Sequence, residues 1–407
     1  MVWLEQDGPR DIPWHVILVG LLLVPAAAHA VTLAETVDAA IARAPQAAPL
    51  AAERLTQEAR RDAASRLFPG APYAQVDVQT DRVTGGRGFT TFGAELGTPL
   101  WLPGEGRATG RQASAGIAAV DARMGEMRLT IAGLVREAVG LVEEAAFAIP
   151  PQERRNASAR QLAGLTEQRA ARGESPQADA LLARSEALLA EAALREQQAL
   201  MAQAMARFTG LTGLPNSPGL ANDRAPPAAP MPDHPALLAA RRNVEAVQAV
   251  LALTRQTLRE SPIIGLQTRQ EQQTAREGYE SRIGVVFRLP FATDSRNLPR
   301  IAAAQAEVTR AEAVLVLLAR ELDIEIRQGR LALASAAEQR RLAEAAFRAL
   351  DQRRGQIERA YTAGEIPLVE LVRARVGAFE ADAFRARARA TQNRARSRLN
   401  QALGAMP

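Results

Sequence analysis

Catalysis and metal binding need groups that donate, accept or coordinate, and this 407-residue chain is short of the usual ones. It has no Cys and three His, of which His15 and His29 lie in the first thirty residues, leaving His234. One imidazole without a thiol is too little for a His-based triad or a transition-metal cage. Carboxylates are plentiful, but pairs such as Glu143-Glu144 sit in stretches dense in Arg and read as solvated or paired surface charge. Gly85-Gly86-Arg87-Gly88 joins two strand-like runs instead of opening a helix, so it reads as a turn and not as a phosphate cradle. No catalytic residue, cofactor site or metal site is assigned, and an enzyme is not expected. Asp179 and Glu370 stand apart: each lies six residues past a turn glycine, Gly173 and Gly364, at equivalent points of the chain. Crowded carboxylates there would focus a negative potential and favour cations. Arg373 follows Glu370 by three residues and could pair with it.

These residues are carried by a chain that is 47% apolar, enough to bury a substantial core. All 50 basic residues are Arg, against 45 acidic ones, for a net charge of +5. The charge is spread out, with no basic tract interleaved with aromatics, so no nucleic-acid partner is expected.

Residues 15–25 form an apolar run that leads into Ala28-His29-Ala30, a small-x-small cleavage pattern. Residues 1–30 are therefore expected to be a signal peptide, although Glu5, Asp7 and Asp11 make its start unusually acidic. No other segment approaches an apolar spanning helix. Entry into a membrane after export would require a closed β-barrel.

Comparing the chain with itself reveals a duplication. Gly93-Ala-Glu-Leu-Gly-Thr-Pro99 precedes Gly284-Val-Val-Phe-Arg-Leu-Pro290 by 191 residues, and the same offset relates Gly173-Glu174-Ser-Pro176 to Gly364-Glu365-Ile-Pro367. The repeats are taken as 31–214 and 233–407. Between them, 215–232 is a connector with six prolines. Each repeat reads as a helix, two strands, a long helix, a turn and a last helix. The first helix is expected over Leu33–Leu67 or Pro235–Glu260, with Asp233 as N-cap of the latter. The last is expected over Gln177–Thr209 or Leu368–Leu403. The long helices should begin after Pro103 and Pro299. From Gly104 to Arg172 there are 69 residues, about 100 Å of helix. Pro150-Pro151 falls inside it and should kink it or divide it in two. Ile117, Val120, Met124, Met127, Ile131, Leu134, Ala138 and Leu141 alternate spacings of three and four, a left-handed coiled-coil seam. Met124, Met127, Met201 and Met205 read as core packing.

Strands are expected over about 73–82, 89–99, 263–272 and 279–290. Ala74, Val76 and Val78 alternate with Gln75, Asp77 and Gln79; Phe92, Ala94 and Leu96 alternate with Gly93, Glu95 and Gly97. The second pair keeps the parity, with Arg269 and Arg288 on its polar face. Apolar-out, polar-in strands of about ten residues suit an outer-membrane barrel. A small soluble sheet packed on helices is the competing reading. Four strands cannot close a barrel, since about eight are needed for even a filled interior. If they span lipid, several copies must share one barrel, with Asp77, Glu95, Arg269 and Arg288 facing its lumen.

An exported chain with this duplicated order resembles the TolC family of outer-membrane efflux proteins. Phe287-Arg-Leu-Pro-Phe-Ala-Thr-Asp-Ser-Arg-Asn297 and Tyr361-Thr-Ala-Gly-Glu-Ile-Pro-Leu-Val-Glu-Leu371 resemble its heavy-metal-efflux, CzcC-like branch. The resemblance covers 32–404. It implies a mainly α fold with a small transmembrane β part: a homotrimer with an α-barrel tunnel across the periplasm and a shared 12-stranded β-barrel in outer-membrane lipid. Its function would be a passive exit duct in a tripartite efflux system, fed through a periplasmic membrane-fusion adaptor by an inner-membrane resistance-nodulation-division (RND) pump. In that arrangement Asp179, Glu370 and Arg373 would lie at the periplasmic gate. The adaptor would dock on the turns at Gly173, Glu174 and Pro176 and at Gly364, Glu365 and Pro367, with Arg184 and Arg375 further in. A periplasmic coiled-coil adaptor or scaffold without a channel is the alternative, but lipoyl-like modules and dense Gly/Val strands are missing from the sequence.

Overall fold

The computed structural model describes residues 31–81, 83–86, 88–223, 226–227 and 233–407. The expected signal peptide, Arg82, Arg87 and part of the connector lie outside them. Seven α-helices and four strands follow one another along the described chain. They are α1 (Leu33–Ala42), α2 (Ala47–Ala64), β1 (Tyr73–Thr80), β2 (Thr90–Pro99), α3 (Glu105–Ala171), α4 (Gln177–Thr212), α5 (Pro235–Gln256), β3 (Ile263–Gln272), β4 (Glu280–Arg288), α6 (Asp294–Thr362) and α7 (Leu368–Ala402). No described helix is long and apolar enough to cross a membrane.

Local signals set most helix ends. Thr32 and Glu35 close a capping box on α1, the Thr32 hydroxyl accepting from Glu35 N–H and the Glu35 carboxylate from Thr32 N–H. The single helix expected over Leu33–Leu67 is two, because Pro45 removes an N–H and pushes Ala44 out of helical backbone. Gly104, Gly173 and Gly364 adopt φ of 81°, 74° and 80°, a left-handed conformation that side chains resist. The first ends a loop and the others turn the chain at the tip. Two further expectations need correction. α6 starts at Asp294, ahead of Pro299, whose missing N–H costs one bond close to a terminus where bonds are weakest. Asp233 does not cap α5: His234 occupies the N-cap position and no side chain bonds the free amides.

α3 is unbroken over 67 residues despite Pro150 and Pro151. An interior proline costs about 3 kcal/mol, and α3 meets that cost because it packs against α2, α4, α5 and α7 along its length. α3 and α7 carry most of the buried residues, α6 has few for its 69 residues, and α2 has none. The helices therefore form one layer. Towards the sheet the order is α2–α3–α5–α6; towards the turns it is α4–α3–α7–α6. The main core lies midway, where α1, α3, α4 and Leu220 of a short 3-10 turn enclose Val135, Val139 and Phe208.

Candidate functional site

The four strands pair in sequence order, all antiparallel, in the sheet β1-β2-β3-β4. Register decides what each face carries. One row across the sheet is Gln75–Glu95–Gln267–Gly284, and the next is Asp77–Gly93–Arg269–Arg282. Asp77, Glu95, Arg269 and Arg288 thus share a single polar face. There Glu95 accepts from the Tyr73 hydroxyl, and Glu271 stands 3.8 Å from Arg269 and 3.4 Å from Arg282. The opposite face has the rows Ala74–Leu96–Leu266–Val285 and Val76–Ala94–Thr268–Ile283. Among the described residues nothing packs over it: Val76 is 74% exposed and Ile283 79%. An apolar sheet face of that extent in water is unfavourable by roughly 25 cal/mol per Å², and the soluble-sheet reading supplies nothing to cover it.

The edges of the two layers coincide. β1 follows α2 and β4 leads into α6, so one side of the molecule offers the free edge of β1 with α2 and α4. The other side offers β4 with α6. Both sides are apolar in places: Leu55, Leu181, Leu188 and Leu189 are exposed on the first, Leu317, Ile324, Leu331 and Leu342 on the second.

At the opposite end, Asp179 and Glu370 occupy the first turns of α4 and α7. Both are half-buried, just past the turns at Gly173–Pro176 and Gly364–Pro367. Glu370 accepts from Arg373 at 2.9 Å within the same helix, so that pair is local. Arg375 reaches across to Glu358 on α6 at 2.9 Å, and Glu358 also takes Arg354 at 3.0 Å. Arg184, at the matching position of α4, is exposed and has no carboxylate partner among the described residues.

Sequence reasoning missed a polar seam between α3 and α7. Arg136 is buried, with Nε 3.2 Å from Asp223, Nη1 donating to Gln401 and Nη2 to the carbonyl of Ala405. Glu143 accepts from Asn393 at 3.0 Å. Burial pushes its carboxyl above the usual range, partly offset by Asn393 and the Leu220 amide. His234 is buried beside Gly404, and burial lowers its pKa. Arg154, Asp382 and Arg385 form a further cluster. Apart from the local Asp382–Arg385 pair, sequence gives no sign of these, because the partners lie tens to hundreds of residues apart. Among the described residues no three potential metal ligands converge.

No family model and no curated protein sequence matches the chain. Solved structures do match in fold. A membrane protein from Pseudomonas aeruginosa superposes with a TM-score of 0.73 at 18% identity, covering 91% of this chain and 93% of that one. The Campylobacter jejuni CmeC outer membrane channel gives 0.72 at 15% identity, covering 98% and 94%. The Vibrio cholerae outer membrane protein VceC gives 0.69 at 17% identity, covering 92% and 96%. The chain therefore shares a fold with outer-membrane channel proteins over nearly its whole length.

Proposed function

We propose that this protein is an outer-membrane channel, the passive exit duct of a tripartite efflux system. The observation that carries the reading is the coincidence of free edges in the two layers, combined with an uncovered apolar sheet face. Open strand edges are not tolerated in lipid. Joining β4 of one copy to β1 of the next satisfies them, and the same rotation brings α6 against α2 and α4. Head-to-tail contacts give a ring when the rotation closes, and lipid, which tolerates no free strand edge, requires the closed form. Three copies give twelve strands, with Asp77, Glu95, Arg269 and Arg288 towards the lumen and a helical tunnel in the periplasm.

In this reading the chain is a signal peptide (1–30) followed by two repeats, 31–214 and 233–407, joined by 215–232. The turns at Gly173–Pro176 and Gly364–Pro367 meet a periplasmic membrane-fusion adaptor, with Arg184 and Arg375 flanking them, and an RND pump supplies the energy. Asp179 and Glu370 from three copies form a carboxylate ring at the entrance, with Arg373 beside it. Kinship with the heavy-metal-efflux branch would make the cargo cations.

Fractionation and planar-bilayer recordings test this. The expected results are heat-modifiable trimers in the outer-membrane fraction and single-channel conductance. Cation preference should fall in Asp179→Ala/Glu370→Ala. Soluble monomer without conductance would end the duct reading; an unchanged preference in the double variant would end the gate.

A further inference from the structure

Basic residues crowd one part of this chain. From Ala383 to Pro407 it carries Arg385, Arg387, Arg389, Arg394, Arg396 and Arg398 and no acidic residue. On α6, which packs beside α7, no acid falls between Glu325 and Glu338, and Arg330 lies in that gap. Several arginines around this region find carboxylates. Arg327 pairs with Asp323, Arg341 with Glu338, Arg348 with Glu344, Arg385 with Asp382, and Arg394 with Glu144.

Arg340 and Arg396 do not. Arg340 Nη1 donates to the Gln392 amide oxygen at 2.8 Å and Arg396 Nη2 to that of Asn393 at 2.9 Å. Neither forms an ion pair among the described residues, and Arg396 Nε is buried there without an acceptor. With Arg330 they line a cavity of about 480 Å³ between α6 and α7. The rest of its lining is Gln392, Asn393, alanine and leucine, with no carboxylate among the described residues. A second cavity between the same helices, of about 550 Å³, differs: Glu144 and Glu325 stand in it beside Arg394 and Arg398. Acids close to the first cavity are engaged elsewhere. Glu344 is shared by Arg348 and Arg385. Glu143 of α3, near Arg396, accepts from Asn393, and burial favours its neutral form.

Guanidiniums donate hydrogen bonds and accept none. Three of them on one cavity repel one another, and the two side-chain oxygens that line it are already bonded. An anion answers both deficits, and spacing sets its shape. Ten residues separate Arg330 from Arg340, about 15 Å of helix. Gly329 lies against Leu399 and Arg340 against Gln392, so Arg396 stands between the two levels on α7. Forks spread over that length suit several oxyanion groups in a row, each gripped by its own guanidinium.

We propose that this cavity binds an extended, multiply charged oxyanion, of which a linear phosphate chain is the simplest form. Arg330 and Arg340 hold its ends and Arg396 its middle. From Asp294 to Arg330 α6 rises about 54 Å, so a bilayer that holds the sheet does not reach the cavity, and the ligand is a soluble one. The site belongs to a single chain and stands whether or not copies close a ring.

Calorimetric titration of the detergent-solubilised full chain with sodium tripolyphosphate tests it. One site per chain is expected, weakening as salt rises. Orthophosphate should bind at least about tenfold more weakly, because it meets one guanidinium at a time. Arg330→Gln and Arg340→Gln should each weaken tripolyphosphate by about tenfold, the scale of one lost charge-assisted hydrogen bond. Both side chains are exposed, so melting without ligand should stay as in the parent. Arg340→Lys keeps the charge and loses the fork, and should fall between parent and Arg340→Gln. Arg327→Gln, at an exposed position outside the cavity, should bind as the parent does. The proposal is overturned by no heat with tripolyphosphate, by equal affinity for orthophosphate, or by parental affinity in Arg330→Gln/Arg340→Gln. A loss in Arg327→Gln as large as in Arg340→Gln also overturns it, since the general positive field alone would then account for binding.

Discussion

The ring of Tyr73 lies flat across Gly97 on the neighbouring strand. A methyl group on Gly97 would sit 2.6 Å from its Cζ. The missing side chain lets the phenol reach Glu95, and the aromatic covers a backbone that glycine would otherwise leave bare. Gly97→Ala should displace the ring and cost about 1–3 kcal/mol, the usual scale of overpacking. Thermal melting of the detergent-solubilised protein should drop accordingly, whereas Tyr73→Phe, which keeps the cover, should fall by less.

Arg136 and Asp223 are buried together, with side chains 4% and 1% exposed. Truncating one partner strands the other's charge, and Asp223→Ala is expected to cost about 3–5 kcal/mol. Replacing both, as Arg136→Met/Asp223→Leu, should recover most of that loss. A denaturation series on the two single variants and the double measures the coupling directly.

Glu143 makes stability depend on pH. Burial raises its folded-state pKa, so the folded chain holds this proton more tightly than the unfolded one. That contribution is present in acid and is lost as pH rises from the ordinary carboxylate value through the raised one. Glu143→Gln mimics the protonated form and should melt higher than the parent near pH 7, with the gap shrinking at about pH 4. A variant that melts lower at neutral pH would show that the charged form is the one the fold prefers.

Arg373 and Glu370 test local pairing against a role at the entrance. Their ion pair is exposed, and pairs three apart on a helix are worth roughly 0.2–0.5 kcal/mol. Arg373→Gln should leave the melting temperature nearly unchanged. In bilayers it should raise cation preference by removing positive charge beside the carboxylates.

Much of this fold is legible in the sequence because its signals are local or periodic. Strand parity placed Asp77, Glu95, Arg269 and Arg288 on one face, and register confirmed it. The Gly-Glu-x-Pro pairs marked both tip turns, where Gly173 and Gly364 take the left-handed conformation. Local rules failed where tertiary packing outweighs them. Pro151 is buried inside a helix that its neighbours hold straight enough to continue, while Pro45, without such support, breaks one. The seam of Arg136, Asp223, Glu143 and Asn393 was invisible because its members lie far apart in the chain and have no spacing to betray them.

The pairing of β2 with β3 constrains the order of biosynthesis. Thr90–Pro99 finds its inner neighbour only in Ile263–Gln272, so for more than 160 residues of synthesis the first hairpin has one side unfilled. A two-stranded ribbon alone is marginal in water. The newly made polypeptide therefore cannot complete its four-stranded sheet until its second half arrives, and the first hairpin must wait unpaired on one side over that interval.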